Sequence, residues 1–132
     1  NISNLGYSKI RKIKIDPLDT KWARFVRERD GECDVCQSTN HLAAHHFIRR
    51  GISITRYDLL NGITLCPSHH VFNHQFSAHR TPEAFERWFK EKYPERHKYL
   101  KKQAMKIMNR KAAQDVFKEE FNIEERPKKL PS

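Results

Sequence analysis

Cys33-Asp34-Val35-Cys36, His45-His46, Asn61-Gly62 and Cys66-Pro67-Ser68-His69-His70-Val71-Phe72-Asn73-His74 all fall within residues 33–74, and their spacing decides the fold. Imidazole and thiolate are the side chains that bind borderline and soft metals. Seven of the eight histidines lie between His41 and His79, and the three cysteines lie in or beside that interval. Packing alone does not account for such crowding. The expectation is a chain folded around metal, at two sites with different work to do.

Helical geometry sorts the ligands. On a helix opened by Pro67, residues four apart share a face, so His70 and His74 pair. Cys66 and His69, three apart, pair across the helix start. Cys33 and Cys36 then complete a set of three thiolates and one imidazole, the closed tetrahedral composition of a structural Zn²⁺ site. The His70/His74 set needs a third member, and His45-His46 on a short strand offers one. Adjacent strand residues point to opposite sides, so one imidazole joins the ion and the other stays free. An open three-ligand metal with a free imidazole beside it suits metal-assisted hydrolysis. His41 and His79 find no place in either set and read as surface residues, with phosphate contacts as the alternative.

Around this centre the pattern is α+β. Asp16-Pro17 starts a helix with Asp16 as N-cap and Pro17 at the first helical position. Leu18, Trp22, Phe25 and Val26 keep one face apolar, and Asp30-Gly31 ends it. Residues 42–46 and 62–66 read as short strands, joined by a long loop at 47–60 that carries Arg49, Arg50 and Arg56; a loop of that length in a small domain is usually functional. Thr81-Pro82 caps a further helix, Pro94 interrupts, and helix resumes to about residue 120 with a break near Asn109. Phe72, Phe76, Phe85, Trp88 and Phe89 are expected in the core. The organisation expected is a basic arm at 1–15, a core with its N-terminal helix and zinc site at 16–80, a helical extension at 81–122 and a disordered basic tail at 123–132.

Charge points to a polyanion. The net charge is +10. Residues 1–29 hold eight Lys/Arg against three acids and residues 80–132 hold fifteen against nine, whereas residues 30–79 hold three against four. Basic flanks would grip phosphates while metal supplies positive charge at the centre. No run approaches the roughly 18 apolar residues of a membrane span. Cysteines at CxxC spacing suit a reducing compartment, so a cytoplasmic location is expected, without a membrane.

His45-His46, Asn61 fifteen residues on, His70 nine further and His74 four further together resemble the motif of HNH (ββα-metal) nucleases, with the spacing of the colicin-type DNases. Cys33, Cys36, Cys66 and His69 resemble the treble-clef-like zinc support of many HNH proteins, although CxxC more often closes that set than the CxxH seen here. The resemblance covers about residues 30–78, and the stretches 22–36 and 55–62 look like phage-encoded HNH proteins. It implies a metal-dependent DNA endonuclease leaving 5′-phosphate and 3′-hydroxyl ends. His45, His70 and His74 would hold the catalytic divalent ion, His46 would be the general base, and the Asn61 amide would brace the 47–60 loop. An acid is the common first ligand; His45 in its place makes Mn²⁺, Ni²⁺ or Zn²⁺ as plausible as Mg²⁺. Arg50 and Arg49, close in sequence to His46, are expected to clamp the phosphate; Arg56 either joins them or pairs with Asp58. DNA is the expected partner, with phage packaging or recombination proteins as further ones and a bacterial host cytoplasm as the setting. The alternative is a zinc-stabilised nucleic-acid-binding module without catalysis.

Overall fold

The computed structural model describes residues 15–106 and 108–123, with side chains through residue 119. The expected basic arm at 1–15 and tail at 123–132 lie almost wholly outside those residues.

Helix α1 (Pro17–Asp30) begins where Asp16 accepts a hydrogen bond from the Leu18 amide and ends at Gly31, whose φ of 70° is left-handed. Glycine adopts that conformation without a Cβ clash, and its amide bonds the Arg27 carbonyl. Strands β1 (Ala43–His46) and β2 (Gly62–Leu65) form a two-stranded antiparallel sheet in which His45 faces Ile63 and His46 faces Gly62. Directly opposed residues share a face, so Ala44, His46, Gly62 and Thr64 look one way while His45 and Ile63 look the other. The first face meets α1. A Cβ at Gly62 would come within 2.3 Å of Val26 and 2.9 Å of Trp22, so only glycine lets the helix approach this closely. Thr64 donates its hydroxyl to the Val26 carbonyl across the same contact.

The opposite face is covered by α3 (Pro82–Lys92) and α4 (Pro94–Ala104). Ile63 and Leu65 pack there with Phe85, Phe89 and Leu100 beside Cys33 and Cys66. A second cluster joins Trp22, Phe25 and Val26 to Tyr57 and Leu59, and is closed by Ala113 of α5 (Arg110–Ile123). The sheet is thus held between two apolar clusters, each anchored on one of its faces.

Three local features depart from the sequence expectation. Residues 47–60 are not bare loop, since α2 (Ser53–Arg56) and a 3₁₀ turn at Leu59–Asn61 lie within them. The helix expected to run from Pro67 through His74 is a single π-helical turn, Ser68–Phe72, after which Asn73 is extended. Phe72, expected in the core, is 65% exposed, because the wide turn carries it away from α3. Phe85 and Phe89 are buried, and Phe76 and Trp88 pack against them partly exposed. Among the described residues no helix is long and apolar enough to cross a membrane.

Candidate active site

The first ligand group forms where three elements meet. Past the α1 cap the chain makes a tight knuckle: the Gln37 amide bonds the Cys33 carbonyl at 2.8 Å, with Gln37 in the left-handed region at φ 64°. The Asp34 amide bonds the Thr64 carbonyl and ties the knuckle to β2. From α3, Lys92 reaches the Asp34 carboxylate, as does Tyr93 at the boundary of α3 and α4. Cys66 follows β2 directly, and His69 lies on the π-helical turn. The donor atoms of Cys33, Cys36, Cys66 and His69 lie within 4.8 Å of one another, a group that could hold a metal ion. Metal–sulfur bonds of about 2.3 Å and metal–nitrogen bonds of about 2.0–2.1 Å imply tetrahedral edges of about 3.8 Å between sulfurs and about 3.6 Å from sulfur to nitrogen. The observed edges are 3.7 Å for Cys36–Cys66, 3.4 Å for Cys66–His69 and 3.9 Å for Cys33–His69. The donor set and its dimensions fit Zn²⁺, with every tetrahedral position filled from the chain.

The second group is His45, His70 and His79, which also lie within metal-holding reach of one another. His79 takes the place that spacing assigned to His74. The reason is the π-helical turn. It stops at Phe72, so His74 has left the helix and no longer sits above His70. Residues 78 and 79 then double back, with the Ala78 amide on the His69 carbonyl at 2.8 Å and the His79 amide on the His70 carbonyl at 3.0 Å. This brings the Nε2 atoms of His70 and His79 to 3.2 Å, near the about 3.3 Å edge that two imidazoles would make on a tetrahedral ion. His74 is exposed, its Nδ1 3.3 Å from the Arg80 guanidinium. Nothing in the sequence marked His79, because its place depends on a loop closure rather than on a helical period.

Electrostatics prepare this group for an ion. Burial, then the neighbouring His70, His79 and His46, push His45 down to about 3. Burial and His79 also lower His70. Metal ligation requires neutral imidazole, which burial favours at His45 and His70. Three imidazoles leave a fourth coordination position open. Phe85 packs its edge against His45 and walls the inner side.

His46 lies on the other face of β1. Its ring stacks on Trp22 with centroids 3.9 Å apart and planes 11° apart. The Trp22 indole is itself fixed by donating to the Asp58 carbonyl. His46 Nε2 lies 2.9 Å from the Arg56 carbonyl. A carbonyl only accepts, so Nε2 carries the proton and Nδ1 of the neutral ring keeps its lone pair. Burial lowers the His46 pKa, partly offset by the Arg56 carbonyl and by Asp19.

Asn61, fully buried, clamps the loop that carries Arg56. Its Nδ2 donates to the Ile48 and Thr55 carbonyls at 3.0 and 3.1 Å, and its Oδ1 accepts the Ile48 amide at 2.7 Å. Arg29 and Arg96, both with buried side chains, hold the turn at residues 59–62, donating to the carbonyls of Leu59, Leu60 and Gly62. The chain of support therefore runs from Asn61 through residues 48–56 to His46.

The three loop arginines have separate places. Arg56 is buried and grips Asp19 through two bonds, 3.0 Å from Nε and 2.6 Å from Nη2, with Asp16 at 3.7 Å; it is committed to holding α2 on α1. Arg50 reaches the same Asp19 at 2.7 Å, but its side chain is 60% exposed. Arg49 is exposed at the start of the loop, its carbonyl accepting the Ile52 amide. Beside His46, Arg50, Asp19, Trp22 and Ala44 line an open cavity of about 600 Å³. Arg80, which follows His79 in the chain, donates its Nε to the Val71 carbonyl at 3.0 Å and so bridges the π-helical turn and His74.

The chain matches no known protein family, no curated protein and no solved structure.

Proposed function

We propose that this protein is a metal-dependent endonuclease of the HNH (ββα-metal) type, hydrolysing DNA phosphodiester bonds to leave 5′-phosphate and 3′-hydroxyl ends. The observation that supports it most is the division of labour between two neighbouring residues of β1. His45 belongs to a three-imidazole group on one face, and burial lowers its own pKa to about 3. His46, on the other, is fixed through Nε2 with Nδ1 free to accept a proton.

Displacement at phosphorus is in line, with attacking and leaving oxygens on opposite sides. A base and a leaving-group stabiliser on opposite faces of one strand meet that demand for a phosphate laid across β1. His46 Nδ1 takes the proton from water on the α1 side. Stacking on Trp22 and the Arg56 carbonyl fix the ring's direction, and Asn61 fixes the carbonyl. Arg50, on the exposed end of its contact with Asp19, is the cation free to turn toward a phosphate oxygen. A divalent ion held by His45, His70 and His79 would supply Lewis-acid stabilisation of the leaving 3′ oxygen. Mn²⁺, Ni²⁺ and Zn²⁺ suit an all-imidazole set better than Mg²⁺ does. Zn²⁺ at Cys33, Cys36, Cys66 and His69 has a structural task, since no coordination position is left over there.

Incubation of supercoiled plasmid with the protein and Mn²⁺, Mg²⁺, Ni²⁺ or Zn²⁺, beside a chelator control, is expected to give nicked circles only with added ion. His46→Ala should retain fold and metal content and lose about 10²–10⁴-fold in rate. If no ion supports cleavage while DNA is still bound, the remaining reading is a zinc-stabilised nucleic-acid-binding module.

A further inference from the structure

The cavity on the α1 side of His46 is larger than proton transfer requires. Its volume of about 600 Å³ lies within the about 300–1,000 Å³ of sites for small organic ligands. Here Ala23 of α1 and Ala44 of β1 line it with methyl groups only, while Thr20, Arg27, Asp19 and Arg50 supply a polar and cationic part. The charge there is positive: Arg27 and Arg50 line it against Asp19 alone, and both oxygens of Asp19 are already engaged by Arg56 from behind. An apolar floor beside cations and a hydroxyl matches a sugar and base attached to a phosphate.

In-line geometry selects which nucleotide this is. If His46 activates water on the α1 side, the 3′ oxygen leaves toward the three-histidine side. The nucleotide upstream of the cut departs with it. The downstream nucleotide, which keeps the phosphate on its 5′ oxygen, is the one free to occupy the α1 side. We propose that this cavity is a subsite for the nucleotide on the 3′ side of the cut, binding its sugar and base over Ala23 and Ala44 with its 5′-phosphate between His46 and Arg50. The proposal rests on the nuclease reading for the direction of the strand. The product of cleavage is then held by its new 5′ end, and free 5′-mononucleotides inhibit.

The test uses thymidine 5′-monophosphate and thymidine 3′-monophosphate as probes, added to the zinc-loaded full chain and followed by NMR at the Trp22 indole, which walls the cavity. The 5′-phosphate is expected to shift that signal saturably and to bind at least about tenfold tighter than the 3′-phosphate, the scale of one lost charge-assisted contact. Ala23→Trp should abolish the shift by filling the space. Thr20→Tyr, at an exposed position, serves the same purpose should the first variant fail to fold. Absence of saturable binding, equal binding of the two phosphates, or binding untouched by the folded filling variant each overturns the subsite. Plasmid nicking measured in parallel separates the two claims. Nicking without 5′-phosphate binding removes the subsite alone, whereas selective 5′-phosphate binding without nicking removes the nuclease and leaves a nucleotide site.

Discussion

His74 and His79 are both exposed imidazoles after the π-helical turn, yet only His79 comes within reach of His45 and His70. The difference is testable by counting metal. His79→Ala is expected to lose the second equivalent of bound ion and keep the first, whereas His74→Ala keeps both; elemental analysis after dialysis reads the outcome. Asn61 is the other residue on which the site turns. It was legible from sequence as a brace through the resemblance of its spacing to HNH nucleases, and the structure supplies its partners. Truncation to alanine strands the buried Thr55 carbonyl and removes the partner of the half-buried Ile48 amide and carbonyl. At about 1–3 kcal/mol for a buried group left unpaired, Asn61→Ala should lower stability by about 3 kcal/mol or more in a urea melt. Arg56 was ambiguous in the sequence because a loop arginine can face a phosphate or an acid. Its acids, Asp19 and Asp16, are 37 and 40 residues away in the chain, and only packing brings them near.

At the level of elements, the start of α1 is where distant parts of the chain are tied together. The buried Asp16 carboxylate caps α1 and also accepts from Tyr57, Arg110 and Gln114, so the 47–60 segment and α5 converge on it. Burial works against its ionisation, but the bonds from Tyr57, the Leu18 amide, Arg110 and Gln114 outweigh it and hold the pKa at about 2, below the ordinary 3.8. A depressed carboxylate stabilises the fold above its unfolded pKa and loses that contribution as pH falls through its folded one. Stability should therefore drop by about 2 kcal/mol between about pH 4 and about pH 2 from this group. Asp16→Asn should flatten that limb of the pH–stability curve; an unchanged acid limb would show that the carboxylate is not what joins α5 to α1. The β2–α1 contact is equally strict. Gly62→Ala would push a methyl group into Val26 and Trp22, and Trp22 carries the His46 ring, so both stability and the orientation of that imidazole should suffer.

For the whole molecule, the sheet has only four residues in each strand, and the apolar clusters on its two faces are small. A domain with so thin a core leans on a structural metal. Zinc binding to such thiolate-rich sites is worth about 10–16 kcal/mol in small folded units, comparable with the entire stability of an ordinary domain. Chelation, or Cys33→Ser, is expected to unfold the Cys33–Cys66 region and release Phe85, Phe89 and Leu100 from their packing, seen as loss of near-ultraviolet dichroism. Removal of an ion held by His45, His70 and His79 should leave most of that signal in place, because His45 touches the apolar cluster at Phe85 while His79 is exposed. A thermal melt that does not move when the first metal is removed would contradict the structural assignment.

The four residues of the first metal group, the helix from Pro17 to its glycine cap, the two strands and the α+β class could all be read from the chain. They rest on short-range rules: ligand spacing of two or three residues, an Asp-Pro cap and an apolar stripe of helical period. The third histidine of the second group, the acid partners of Arg56, the exposed Phe72 and the cavity beside His46 had no such rule. Each depends on a turn wound wider than an α-helix, or on which residues of α1 come to lie against β1. Those are properties of packing between segments far apart in sequence, and no local pattern encodes them.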